Sequence, residues 1–110
     1  MPFARIDDNG MTVTVDLHGT TVHEAVDIVY RVLDEAAARG RSSVKVIHGS
    51  STSTAAPTAR TIKNTLHDEL DRGGFADVTG VLRQPNHLTL SLDITAPNDP
   101  RPIRAYEVAP

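Results

Sequence analysis

The chain contains no cysteine. That excludes disulfides, a thiolate nucleophile and thiolate-ligated metal. It opens without an apolar run, since Arg5, Asp7 and Asp8 interrupt Met1-Pro2-Phe3-Ala4-Arg5-Ile6-Asp7-Asp8, so a secretory leader is not expected. No stretch approaches the ~20 apolar residues of a membrane span. These absences point to a soluble cytoplasmic protein with no membrane partner. The chain also lacks a positive excess: 11 Lys and Arg stand against 14 Asp and Glu, for a net charge of −3. Bulk charge therefore does not mark a nucleic-acid binder. No internal repeat is present. The 110 residues suffice for one domain. A domain of this size buries roughly two-thirds of the surface of its unfolded chain, and a monomer is the default expectation.

The distribution of charge says more than the total. Arg39, Arg41, Lys45, Arg60 and Lys63 occupy a stretch with no acidic residue. Glu24, Asp27, Asp34 and Glu35 precede it, and Asp68, Glu69, Asp71 and Asp77 follow it. A local basic patch on an acidic body can still attract phosphate.

The pattern of residues predicts β-α-β-α-β-β. Asp8-Asn9-Gly10 is hairpin-turn chemistry, the Asn-Gly pair tolerating positive φ at both centres, and it allows an extra strand at residues 3–7. Met11, Val13, Val15 and Leu17 alternate with polar residues, as in a strand with one apolar face. Thr21-Val22-His23-Glu24 is a capping box. It opens a helix running to about Arg39, with an apolar stripe and an Asp27–Arg31 pair on the exposed side, stopped by Gly40. Val44-Lys45-Val46-Ile47 is a second strand. Pro57 suits the first turn of a second helix, which buries Ala59, Ile62, Leu66 and Leu70, exposes Arg60, Lys63, Asn64 and His67, and ends at Gly73-Gly74. Strands follow at 75–82 and 88–94, joined by a turn at Gln84-Pro85-Asn86. The expected architecture is an α/β, two-layer α+β sandwich: a mixed four-stranded sheet with both helices on one face. Residues 1–94 form the domain, with its core in 11–94. Residues 95–110, containing Pro97, Pro100, Pro102 and Pro110, form a C-terminal arm or tail.

Two short motifs carry the chemistry. Asp16-Leu17-His18-Gly19 ends the first apolar strand, and His48-Gly49-Ser50-Ser51 ends the next. A strand-helix-strand unit makes these strands parallel, so both ends lie on one sheet edge, where open α/β sheets bind ligands. The second loop leads into a helix N-terminus, which favours an anion, with Arg60 and Lys63 nearby. Asp16 and His18, two residues apart on a strand, share a face at roughly 6.5–7 Å between Cα atoms. Imidazoles that exchange protons near neutral pH, a carboxylate and a phosphate cradle suit phosphodiester cleavage. Asp16, His18 and His48 are also suitable ligand types for a divalent metal, though nothing requires one. Ser50 and Ser51 do not lie in a G-x-S-x-G elbow. His23, His67 and His87 read as surface residues.

Asp16-Leu17-His18-Gly19, Thr21-x-x-Glu24-Ala25 and Val46-Ile47-His48-Gly49, in that order, resemble the Smr (small MutS-related) domain family over about residues 11–94. The resemblance implies a fold similar to the C-terminal domain of bacterial translation initiation factors. It implies nucleic-acid binding, with members that nick DNA or cleave RNA, some of them on messenger RNA at stalled or collided ribosomes. The family's Asp-x-His falls on Asp16 and His18, and its second His-Gly on His48 and Gly49. Its following glycine is replaced by Ser51 and the often basic residue before it by Ser50, which implies a phosphate cradle altered or built from hydroxyls. The expectation is an endonuclease acting on RNA or DNA. Asp16, His18 and His48 are its catalytic candidates; Gly19, Gly49, Ser50, Ser51, Arg60 and Lys63 are the phosphate-binding candidates. The alternative is a non-catalytic nucleic-acid- or ribosome-binding module.

Overall fold

The computed structural model describes residues 4–49 and 61–109. Along the chain run β1 (Arg5–Asp8), β2 (Thr12–Asp16), α1 (Val22–Ala38), β3 (Ser43–Ile47), α2 (Ile62–Asp71), β4 (Val78–Arg83) and β5 (His87–Leu92). The sheet has five strands in the order β1-β2-β3-β5-β4. β2 and β3 are parallel and the other neighbours antiparallel. The N-terminal strand that the sequence allows is therefore present. The turn before β2 has three residues rather than two: the Asn9 side chain accepts from the Met11 and Thr12 amides and supports the wider loop.

Strand alternation builds the core. Val13 and Val15 of β2, Val44 and Val46 of β3, and Leu88, Leu90 and Leu92 of β5 are buried. They meet Ala25, Ile28, Val29, Val32, Leu33 and Ala36 of α1, and Leu66 of α2. The capping box forms as expected: Thr21 Oγ1 accepts from the Glu24 amide, and Glu24 accepts from the Thr21 amide at 2.9 Å. Asp27 pairs with Arg31 at 3.1 Å. Pro57, Ala59 and Arg60 lie outside the described residues. The helix α2 opens later than the sequence suggests, at Ile62, because the Thr61 hydroxyl caps it through the Asn64 amide. Its polar face carries a surprise. Glu69 is buried, where it accepts from the Tyr30 hydroxyl and pairs with Arg72. β4 starts at Val78 rather than 75, since Phe75 turns inward at a φ of +54°.

The C-terminal arm packs against the domain. Ile103 and Val108 join the core, and the arm closes over an ion pair. The side chains of Asp8 and Arg41 are both fully buried. Arg41 donates to both Asp8 oxygens at 2.8 and 3.0 Å, and to the carbonyls of Arg39 and Arg101. Asp8 also accepts from the Gly10 and Ile103 amides. Burial pushes the Asp8 carboxyl up, but the Arg41 guanidinium and the two amides outweigh it and hold the carboxyl below its usual range. A carboxyl lowered in the fold contributes stability above its unfolded value near ~3.9, and that contribution is lost as pH falls through the folded value. Removing one member strands the other charge in the interior. Arg41→Met should therefore lower the unfolding free energy by about 3–5 kcal/mol in a urea titration, and Asp8→Leu combined with Arg41→Met should recover much of it. A wild-type midpoint for the single variant would show that the pair holds nothing together.

Candidate functional site

The parallel ladder brings the two motifs abreast. Asp16 lies opposite Ile47, and the Leu17 amide donates to the Ile47 carbonyl at 2.9 Å as the last rung. Each strand then ends in a His-Gly turn. After β2, the Thr20 amide donates to the Leu17 carbonyl at 3.0 Å and Gly19 takes a φ of +87°. That is the third position of a type II turn, which needs glycine. After β3, Gly49 takes a φ of +79°. A Cβ at either glycine would meet only open space, so backbone conformation rather than crowding selects the residue. The His48 and Gly49 amides both donate to the Asn86 carbonyl at 3.1 Å, clamping the turn between β4 and β5 to the end of β3.

Alternation then separates the candidate side chains. Asp16, like Thr12 and Thr14, lies on the sheet face away from the helices, whereas His48 continues the buried row of Val44 and Val46. The Asp16 carboxylate accepts from the His18 amide at 2.9 Å. It therefore orders the turn through the backbone rather than through the ring. His18 and Gly19 are exposed, and Gly49 and Lys63 are half-buried. Lys63 sits in the first turn of α2. Ser50, Ser51 and Arg60 lie outside the described residues. Among the described residues, no hydrogen bond or ring contact joins the His18 imidazole to the Asp16 carboxylate or to His48.

His48 has other company. Its ring lies 6.1 Å from that of His67 on α2, edge-on. Its Nδ1 lies 2.7 Å from the Gly49 carbonyl. A carbonyl only accepts, so Nδ1 carries the proton and the neutral ring presents a lone pair at Nε2. His67 is arranged in the opposite sense. Its Nδ1 lies 2.8 Å from Arg83 Nη1. A guanidinium only donates, so Nδ1 accepts and Nε2 carries the proton. Arg83 is held in turn by Asp71 at 3.0 Å. Burial pushes the His48 imidazole below its usual value; the Gly49 carbonyl opposes this, and Lys63 and His87 add to it. Burial also lowers His67, with Arg83, His48 and Lys63 adding to the effect and Asp71 opposing it. Both rings are therefore biased toward the neutral form.

A model of the Smr domain family matches residues 15–88. The chain belongs to the Smr domain family. Among solved structures it is similar to the Smr domain of MutS2 from Thermus thermophilus, with 27% identity and a TM-score of 0.58 over 73% of this chain and 96% of that one. A search of curated proteins gave no match. Within this Smr domain, both His-Gly turns stand on the parallel β2–β3 pair. The residues around His48 were not apparent from the sequence. His67 follows Leu66 and lies one turn after Lys63, so helical spacing sets it at the margin of the apolar stripe. That position is the signal that could have drawn it in. His87 pairs in register with Ile47 across the β3–β5 ladder, a neighbour that only the strand order reveals.

No group of three or more His, Asp or Glu among the described residues could hold a metal ion. No described helix is long and apolar enough to cross a membrane. An imidazole whose folded value is lowered contributes stability above its unfolded value near ~6.5, and that contribution is lost as pH falls toward the folded value. Ring-proton NMR should show His48 and His67 titrating below ~6.5. The acid-side loss of stability that begins near that pH should flatten in the His48→Gln, His67→Gln variant. Midpoints at or above the free value would contradict this burial-driven pattern.

Proposed function

We propose that this Smr domain binds a nucleic-acid strand across the ends of β2 and β3 and cleaves a phosphodiester there. The observation that carries the reading is the state of His48. It is an enclosed imidazole at the carboxyl end of a parallel strand, neutral by environment, with its proton on Nδ1 and its Nε2 lone pair without a partner among the described residues. A general base needs that form near neutral pH. His48 Nε2 takes the proton from the attacking hydroxyl, and His18, exposed in the neighbouring turn, protonates the leaving oxygen. Asp16 fixes the His18 turn through its amide. Lys63, with Gly19 and Gly49 at the two turns and Ser50, Ser51 and Arg60 in the adjoining segment, meets the phosphate charge. If the attacking hydroxyl is a ribose 2′-OH, no other nucleophile is needed; on DNA a water must be activated, and a divalent metal would assist it.

The test uses labelled single-stranded RNA and supercoiled plasmid, each with and without EDTA. Wild type should cleave at least one substrate, and His18→Ala with His48→Ala should lower the rate by about 100-fold or more, the usual worth of acid–base groups. Equal, background-level cleavage by both proteins would remove the catalytic reading.

A binding module without catalysis is the second reading. It is favoured by the Asp16 carboxylate engaging backbone rather than an imidazole, and by Ser51 at the family's glycine position. Under either reading, Lys63→Ala should weaken binding at low salt and reduce the slope of log affinity against log salt by about 1. An unchanged slope would place the strand elsewhere on the surface.

A further inference from the structure

His67 is outside the motifs that define the site, yet its environment complements that of His48. Nε2 of both rings is enclosed and has no hydrogen-bond partner among the described residues. His48 is 9% exposed. A buried polar atom left unpaired costs free energy comparable to a lost hydrogen bond, so such atoms call for an occupant. The fixed contacts at the far side of each ring decide what that occupant must be. The Gly49 carbonyl leaves His48 Nε2 as an acceptor, and Arg83 leaves His67 Nε2 as a donor. One atom that donates and accepts at once satisfies both. The 6.1 Å between ring centres suits a single oxygen making two hydrogen bonds of ~2.8–3.0 Å. A bare cation fits poorly, because His67 presents a proton and Lys63 and Arg83 stand nearby.

We propose that His48 and His67 form a two-imidazole seat for one hydroxyl oxygen, which donates to His48 Nε2 and accepts from His67 Nε2–H. The oxygen comes from a ribose 2′-hydroxyl or from water. The proposal shares the location assigned above to strand binding but does not require cleavage, so its test is spectroscopic. Long-range proton–nitrogen NMR of the intact ¹⁵N-labelled chain near pH 7 should show His48 protonated at Nδ1 and His67 at Nε2. His67 protonated at Nδ1, or either ring cationic, would overturn the proposal. The chain is then titrated with single-stranded RNA, DNA of the same sequence, and the RNA carrying 2′-O-methyl groups. A response of both rings to the RNA alone identifies the ribose hydroxyl. A long-lived water with cross-peaks to both rings, unchanged by every oligonucleotide, identifies water. Correct tautomers with neither response would also overturn it. The His67→Phe variant, checked for an unchanged fold by its remaining amide spectrum, should abolish whichever response is seen. Absence of cleavage alongside these signals would count against the nuclease reading alone.

Discussion

Everything that matters in this domain depends on the parallel pairing of β2 with β3. Among the described residues it is the one parallel ladder, and α1 is the crossover it requires. The pairing sets two distant stretches of chain side by side and ends both strands at the same edge. It also sets sidedness. Asp16 and His48 differ by one position in their rung, so alternation sends them to opposite faces. The two His-Gly turns are thus close as backbone but distinct as chemistry. One is open and ordered by a carboxylate on its amide; the other is enclosed and bordered by α2.

Local charge works against the net charge of the chain. Lys63, Arg83 and His87 lie near His48 and His67, so a further proton on either ring is disfavoured twice, by burial and by like charge. A chain of net negative charge can therefore keep these imidazoles neutral by gathering cations locally around them. Fixed partners explain why the buried ring of His48 and the half-buried ring of His67 are tolerated. Each ring has one nitrogen fully satisfied, by a carbonyl in one case and by a guanidinium in the other.

Much of this was legible in the sequence. Alternation located β2, β3 and β5, the Thr21–Glu24 box located the start of α1, and the repeated His-Gly dipeptide marked where β2 and β3 end together. What was not legible depends on pairing between remote residues. His67 looked like a surface residue because helical spacing shows which face it occupies but not what packs there. The burial of Glu69 could not be read locally, because the Tyr30 hydroxyl that makes it tolerable lies on another helix. The opening of α2 was placed too early, since Pro57 is a permissive signal whereas the Thr61 cap is a specific one. Asp8 read as a turn residue, and nothing local to it reveals Arg41.

The order in which the chain leaves the ribosome gives the arm a further significance. Asp8 is made early and Arg41 soon after, but the amide of Ile103 and the carbonyl of Arg101, which complete their shell, come some sixty residues later still. Until then the pair has water where the arm will lie, and β1 is held to β2 by a ladder of only four residue pairs. The first hairpin of the fold is thus among the last parts to become final. Synthesis and closure are coupled: the nascent domain can assemble its central strands at once, but it is sealed only after residue 108 has emerged.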